Sequence, residues 1–257
     1  MITLTTDFGS KDPYVAEMKG AILSINSKAT LIDVTHEVEK FNIRMAAFVL
    51  ASAAPYFPKG TVHLAVVDPG VGTQRRAILV ETKQAFFVGP DNGVLVLAAQ
   101  NQGIVSIHEL ANPKFMLPKV SSIFHGRDIF APAAAHLDRG IKPEEFGPQI
   151  ADAVKPEFAI VEKHEGSLIG EVLHVDGFGN VITNITQKEI VGAKAINIKL
   201  PKLSLKLSFG KTYAEAKPQE ALVLIGSHGF AELAVNQGSA AEMFGVKTGD
   251  KVEVTPA

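Results

Sequence analysis

Two aspartates close predicted strands at positions where α/β proteins bind ligands. Asp7 follows the β-branched segment Ile2–Thr6, and Asp68 follows the apolar run 62–67. In open parallel sheets, ligands bind beyond the carboxyl ends of the strands, and a carboxylate there can accept both hydrogen bonds of a ribose diol. Asp7 and Asp68 are therefore candidate binding groups. The alternative is a helix N-cap, a position that Asp also favours.

The loop after the second of these strands combines two glycines with two arginines. It reads Asp68-Pro69-Gly70-Val71-Gly72-Thr73-Gln74-Arg75-Arg76 and lacks the Gly-Lys-Ser/Thr ending of a phosphate-binding P-loop. Across the glycine turn, Arg75 is able to fold back and pair with Asp68. Such a pair serves either a functional site or only the stability of a tight loop, and the sequence leaves both interpretations open.

Further polar clusters lie at predicted turns. His125 stands just before a helical segment, although a lone histidine is more often structural or solvated. In the segment 176–180, Phe178 could stack on a planar base while Asn180 bonds the base edge, and the alternative is a simple glycine turn. Pro90-Asp91-Asn92-Gly93 is interpreted as an ordinary turn.

Composition and charge argue against several classes of partner. Lys and Arg number 25 and Asp and Glu 27, so a net charge of −2 gives no reason to expect a nucleic acid or an anionic membrane. The chain has no cysteine, and its histidines lack metal-site spacing, so we expect no metal. Neither a signal-peptide pattern nor an apolar run of ~18 residues is visible, which favours a cytoplasmic protein.

The elements that must position these residues fall into two groups. Over the first part of the chain, strand and helix patterns alternate, which predicts an α/β N-terminal domain at residues 1–158 with a mostly parallel sheet. The predicted strands are 2–6, 30–34, 62–67, 77–81 and 85–88, and the predicted helices are 15–25, 43–54 and 126–138.

The pattern changes near Lys155 and Pro156 to short strands separated by Gly, Pro and Asn. We predict a linker at about 159–166 and a smaller all-β, barrel-like C-terminal domain at residues 167–257. Its predicted strands are 168–175, 181–185, 195–200, 203–209, 222–225, 231–235 and 251–254.

Taken together and in order, the polar clusters resemble one family. From Thr5-Thr6-Asp7-Phe8-Gly9 to Ser227-His228-Gly229, the chain is similar to the S-adenosyl-L-methionine (SAM) hydroxide adenosyltransferases, relatives of the fluorinases and chlorinases. The resemblance implies hydrolysis of SAM, in some members its (R)-sulfonium epimer, to adenosine and L-methionine, with SAM as substrate and no cofactor. It also implies a homotrimer whose active sites lie between the N-terminal domain of one subunit and the C-terminal domain of the next.

The same resemblance assigns roles to individual residues. Asp68, Arg75 and His125 would surround the attacking water, which would need no metal. Asp7 would bind the ribose hydroxyls of the substrate. Phe178, Asn180 and the main chain near Val235 would bind the adenine. Asp176 and Ser227 would bind the amino-acid end, and Glu232 would be a further substrate-binding residue. Phe41 falls where the halogenases carry a tryptophan near the ribose.

Two other functions remain as alternatives. A halogenase would join chloride or fluoride to the adenosyl carbon, but the halogenases carry a tyrosine where this chain has Asp68, and a carboxylate repels an anion. The fluorinase insertion between two N-domain strands is also missing, because residues 81–84 join those strands directly. The third possibility is a non-catalytic adenosine- or SAM-binding module, which could also employ Asp68, Arg75 and His125.

Overall fold

The computed structural model describes residues 1–190 and 195–256. The chain divides into two compact units, Met1–Lys155 and Pro156–Ala257. Residues 191–194 and 257 of the predicted C-terminal domain lie outside the described residues.

The first unit is built on a six-stranded sheet with the order β2-β1-β3-β5-β4-β6. Neighbours β1–β2, β1–β3 and β3–β5 are parallel, whereas β4 runs antiparallel to both β5 and β6. The strands are β1 (Ile2–Thr6), β2 (Leu31–Thr35), β3 (Val62–Val66), β4 (Ala77–Thr82), β5 (Phe86–Pro90) and β6 (Ile104–Glu109).

The sheet is thus mixed, with three parallel and two antiparallel pairings, and is less clearly parallel than predicted. The reason is the tight connection between β4 and β5, in which the Thr82 hydroxyl donates to the Ala85 carbonyl at 2.7 Å and accepts from the Ala85 N–H at 2.9 Å. So short a turn joins only antiparallel strands. Strand β6, which the sequence pattern did not predict, then pairs with the free edge of β4.

Helices cover the sheet. Ile2 and Leu4 of β1 share a buried apolar cluster with Met18 and Ile22 on one helix and Ala134 on another. The helices are α1 (Tyr14–Ile25), α2 (Ile43–Ala53), α3 (Val96–Gln102) and α4 (Ala131–Asp138), and one turn of π-helix (Gly126–Phe130) precedes α4. Over residues 1–190 and 195–256, no helix combines the length and the apolar character needed to cross a membrane.

The second unit is a closed barrel, which confirms the all-β, barrel-like prediction. The strand order is β14-β10-β11-β12-β13-β9-β8-β7, and the additional pairing of β14 with β8 closes seven strands into a ring. The strands are β7 (Glu162–His164), β8 (Ser167–Val175), β9 (Val181–Thr186), β10 (Ala195–Leu200), β11 (Leu203–Phe209), β12 (Ala221–Ile225), β13 (Phe230–Val235) and β14 (Lys251–Pro256).

A short helix, α5 (Ala240–Phe244), follows β13 in the barrel unit. The Ser239 hydroxyl caps it by accepting from the Glu242 N–H at 3.2 Å, and Gly245 ends it in the left-handed conformation with φ 62°. Apolar side chains such as Val172, Ile185 and Val252 form the core of the unit.

Candidate functional site

A cleft of about 240 Å³ lies at the carboxyl ends of β1 and β3. The two strands are adjacent and parallel, with Thr6 opposite Val66, so the residues that follow them are brought to the same edge of the sheet. Asp7 and Asp68 both line the cleft, and His125 lines it from the segment before the π-helical turn. Three residues that are distant in sequence therefore meet where an open α/β sheet binds ligands.

The side chains of Asp68, Arg75 and His125 form one contiguous polar cluster. Arg75 Nε donates to both carboxylate oxygens of Asp68, at 2.9 and 3.0 Å, and Nη2 forms a further short contact with Asp68 Oδ2. The same Nη2 donates to His125 Nδ1 at 2.8 Å. The side chains of Asp68 and Arg75 are only 6% and 10% exposed, so these bonds are shielded from bulk water.

The Arg75 contact fixes the tautomer of His125. A guanidinium has only donors, so His125 Nδ1 must be the acceptor and the proton of the neutral ring sits on Nε2. Burial, and after it the positive charge of Arg75, lower the pKa of His125, against an opposing effect of Asp68 and Asp128. His125 is therefore a neutral donor through Nε2–H near neutral pH.

Close backbone packing brings the Asp68–Arg75 loop to His125. Gly72 has φ 76°, and a Cβ on this residue would overlap the carbonyl oxygen of Ser122, which lies three residues before His125. The same loop also contacts Phe130: the Arg75 guanidinium carbon lies 5.2 Å from the centroid of this buried ring. The glycine at position 72 is thus required by the approach of the two loops.

Asp7 holds the segment on the facing side of the cleft. Its Oδ2 accepts the Phe41 N–H at 2.8 Å, and Phe41 has the left-handed backbone conformation with φ 65°. The Phe41 ring is 67% exposed and lines the cleft. A carboxylate has about four acceptor positions, so Asp7 keeps capacity for the two hydroxyls of a ribose.

Three aromatic rings form a further wall that the sequence pattern did not identify. Phe8, Tyr14 and Phe124 contact one another edge to face, with centroid separations of 5.5–5.9 Å. All three line the cleft. Tyr14 starts α1, and no short-range signal distinguishes it from an ordinary helical residue, because only the tertiary fold places it beside Phe124.

The barrel unit carries a second candidate surface, a groove of about 600 Å³. Four of the predicted substrate-binding residues line it together with Tyr213: Asp176, Phe178, Asn180 and Val235. The Phe178 ring is 84% exposed. An exposed aromatic ring beside polar groups is suited to stacking on a planar ligand.

Asp176 organises the turn that presents Phe178. Asp176 Oδ1 accepts the N–H groups of Phe178 and Asn180, both at 2.9 Å, and Oδ2 accepts Asn180 Nδ2 at 2.9 Å. The interpretation of residues 176–180 as a glycine turn is therefore confirmed. The turn also fixes the backbone that presents the exposed Phe178, and it holds the side-chain amide of Asn180.

Glu232 and Ser227 do not line the groove. Glu232 is buried, accepts from the Tyr213 hydroxyl at 2.8 Å and lies 3.2 Å from His228 Nε2. Burial, and then the Glu232 carboxylate, raise the pKa of Tyr213 to about 12, so Tyr213 remains a donor. Glu232 thus contacts a groove-lining residue, Tyr213, which no sequence motif indicated. Ser227 lies in the exposed turn between β12 and β13.

Within the described parts of the chain, no group of three or more His, Asp or Glu side chains is arranged to hold a metal ion.

The fold and the two surfaces define a two-domain protein, with a polar cluster in an α/β unit and an aromatic groove on a β-barrel. Residues 2–147 match the SAM hydroxide adenosyltransferase N-terminal domain, and residues 170–253 match the SAM hydroxide adenosyltransferase C-terminal domain. The chain belongs to the SAM hydroxide adenosyltransferase family.

Relatives of known name cover nearly the whole chain. A protein of Salinispora arenicola named (R)-S-adenosyl-L-methionine hydrolase is 39% identical, over 99% of this chain and 97% of its own length. A protein of the same name from Methanocaldococcus jannaschii is 38% identical over 99% of this chain and 95% of its own length. A fluorinase of Actinopolyspora mzabensis is 27% identical over 99% of this chain and 97% of its own length.

A solved structure has the same fold. The crystal structure of an uncharacterized conserved protein from Thermotoga maritima superposes with a TM-score of 0.86 at 42% identity, covering 99% of this chain and all of the other.

Proposed function

We propose that this chain hydrolyses SAM, in its (R)-sulfonium form, to adenosine and L-methionine. The observation that carries the proposal is the partly buried Asp68–Arg75–His125 cluster, of which Asp68 and His125 line the same cleft as Asp7. Membership of the family and the names of the relatives at 38–39% identity support the same activity.

The reaction makes one bond and breaks one bond at the ribose 5′ carbon. The oxygen of a water molecule attacks this carbon in line with the carbon–sulfur bond, whose electron pair passes to the sulfur. The sulfonium leaves as the neutral thioether of methionine and needs no general acid. One proton of the attacking water must be removed, since free water has a pKa of about 15.7 and is a weak nucleophile.

The hydrogen bonds within the cluster favour Asp68 as the proton acceptor. Arg75 has no acceptor atom, and His125 already uses Nδ1 to accept from Arg75 and carries a proton on Nε2. A carboxylate has about four acceptor positions, and Arg75 occupies three of those of Asp68. In this proposal His125 Nε2–H orients the water oxygen, and Arg75 keeps the carboxylate in place.

The remaining site residues are proposed to bind substrate. Asp7 would hold the ribose hydroxyls and Phe178 would stack on the adenine, with Asn180 and the main chain near Val235 at its edge. Asp176 and Ser227 would bind the amino-acid end, and Glu232 would act by orienting Tyr213. We further propose a homotrimer, as the family resemblance implies, and catalysis without a metal or cofactor.

A halogenase is the less favoured alternative. A halide placed against the Asp68 carboxylate would be repelled, whereas a water molecule there donates a hydrogen bond. The fluorinase relative is also less similar, at 27% identity against 39% for a hydrolase relative.

The test is product analysis from each SAM epimer in ¹⁸O-labelled water containing chloride and a chelator. We expect adenosine that carries ¹⁸O at its 5′ oxygen, formed from the (R) epimer. A 5′-halogenated adenosine would identify a halogenase. Binding of SAM without any product would identify a non-catalytic module, and activity that needs an added divalent ion would contradict the metal-free mechanism.

A further inference from the structure

The turn after β5 lies beneath the loop that carries Asp68 and Arg75. The strand order β3-β5-β4 places β5 between the strand that precedes this loop and the strand that follows it. The loop must therefore cross the carboxyl end of β5, where the chain continues into Asp91 and Asn92.

Asn92 holds the beginning of the loop. Its Nδ2 donates to the carbonyl oxygen of Val67 at 2.9 Å, and Val67 directly precedes Asp68. Its Oδ1 accepts the Val94 N–H at 3.1 Å, which fixes the side chain in its own turn. The last β3–β5 backbone pair joins Leu64 to Val88, so this amide extends the contact between the two segments beyond the end of the ladder.

Asp91 holds the end of the loop. Its N–H donates to the Arg76 carbonyl at 2.9 Å, and its Oδ2 accepts Arg76 Nε at 2.9 Å. Asp91 Oδ1 accepts the Val154 N–H at 2.8 Å, and the residue is only 5% exposed. Arg76 is thereby fixed immediately after Arg75.

We propose that Asp91 and Asn92 are positioning residues that set the geometry of the Asp68–Arg75 pair by clamping both ends of its loop. This inference rests on the proposed hydrolysis. Neither residue is among the residues that line the cleft, so their effect is exerted through the backbone of Val67 and through the backbone and side chain of Arg76. A displacement of a reacting group by ~1 Å can lower a rate by ~10²-fold, so a backbone clamp has a direct kinetic consequence.

The chain offers a matched control in Asn112. Its Nδ2 donates to the Glu145 carbonyl at 2.8 Å, and its Oδ1 accepts the Lys114 N–H at 3.1 Å. Asn112 thus makes the same two bonds as Asn92 in the same unit, and it is not among the cleft-lining residues. The variants Asn92→Asp and Asn112→Asp each keep the local turn bond and lose the donation to the distant carbonyl.

The experiment compares kcat and KM for SAM hydrolysis by the wild type, Asn92→Asp, Asn92→Ser and Asn112→Asp. We expect kcat to fall by ~10-fold or more in both Asn92 variants, with KM within ~3-fold of wild type and Asn112→Asp unchanged. Asn92→Ser separates the loss of the clamp from the charge that Asp introduces. Wild-type kcat in the Asn92 variants, or an equal loss in Asn112→Asp, would overturn the proposal.

A readout without turnover separates this proposal from the proposed function. The Arg75 Nε–H resonance in ligand-free protein reports its bonds to Asp68, whether or not SAM is hydrolysed. We expect this resonance to shift in Asn92→Asp and Asn92→Ser and not in Asn112→Asp. If wild type does not hydrolyse SAM, a shift confined to the Asn92 variants still supports the clamp, and an unshifted resonance refutes it.

Discussion

The cleft of the α/β unit and the groove of the barrel unit differ in how their polar atoms are used. In the cleft, the side chains of Asp68 and Arg75 are largely shielded from water and are bonded to each other and, through Arg75, to His125. In the groove, the principal side chain is the 84% exposed ring of Phe178, held by a turn that Asp176 organises. A pre-organised, shielded cluster is suited to chemistry, whereas an exposed ring is suited to binding, so we expect substitutions in the two regions to change different kinetic quantities.

The largest expected effect follows from Asp68→Ala in the cleft. Single-turnover hydrolysis should fall by at least ~10²-fold, because the proposed proton acceptor is lost, while the affinity for adenosine changes little. Asp33→Ala is the matched control, since it breaks a 2.6 Å ion pair with Lys19 outside the cleft. A lowered melting temperature with a normal single-turnover rate would show that Asp68–Arg75 is only a structural ion pair. The cleft would then not differ from the groove in having a catalytic role.

A second prediction compares the stability of the two units in acid. His63 is 1% exposed between the rings of Phe57 and Phe87, and its Nε2 has no hydrogen-bond partner among the described residues. Burial lowers the pKa of His63 to about 4. Between pH ~6.5 and ~4 the unfolded chain binds a proton that the folded unit excludes. The free energy of unfolding therefore decreases as the pH is lowered through this range, by roughly 3 kcal/mol in total.

Hydrogen exchange at several pH values would measure this effect separately in β3 of the α/β unit and β12 of the barrel. In His63→Phe, the protection of β3 should depend less on pH across this window than in wild type. His164→Phe, in the exposed edge strand β7 of the barrel unit, is the control and should leave the β3 profile unaltered. An unchanged β3 profile in His63→Phe would exclude His63 as the source of acid sensitivity.

The smallest expected effect lies in the groove. Phe178→Ala should weaken adenosine binding by ~5–150-fold, because stacking of a base on an aromatic ring contributes about 1–3 kcal/mol. The turnover rate at saturating SAM should change much less. Tyr56→Ala removes another ring, 75% exposed and in the α/β unit, and should leave the calorimetric affinity unaltered. Equal affinity in Phe178→Ala and wild type would show that the groove does not bind the base.

The sequence by itself determined most of the elements and the residue types of both surfaces. Short β-branched segments marked β1 and the barrel strands, and a nearly continuous apolar run marked β3, because a strand buried on both faces needs apolar residues throughout. The polar motifs also brought out Asp68, Arg75 and His125, since loops that follow strands carry unusual residues when they are functional. Helix α3 was missed, because its seven residues carry four buried apolar side chains in succession and show no helical periodicity. Strand β6 was also missed, since its six residues show no regular alternation of buried and exposed positions.

Tertiary structure alone decided the strand order of the sheet, the tautomer of His125 and the partners of the Pro90–Gly93 turn. Asp91 and Asn92 have the composition of any turn, and their contacts with Arg76 and Val67 arise only because β5 is inserted between β3 and β4. Tyr14 and Tyr213 likewise gain their neighbours from packing across long stretches of chain. Local residue preferences act over a few positions, whereas strand order is set by burial of the whole sheet, so no local pattern contains this information.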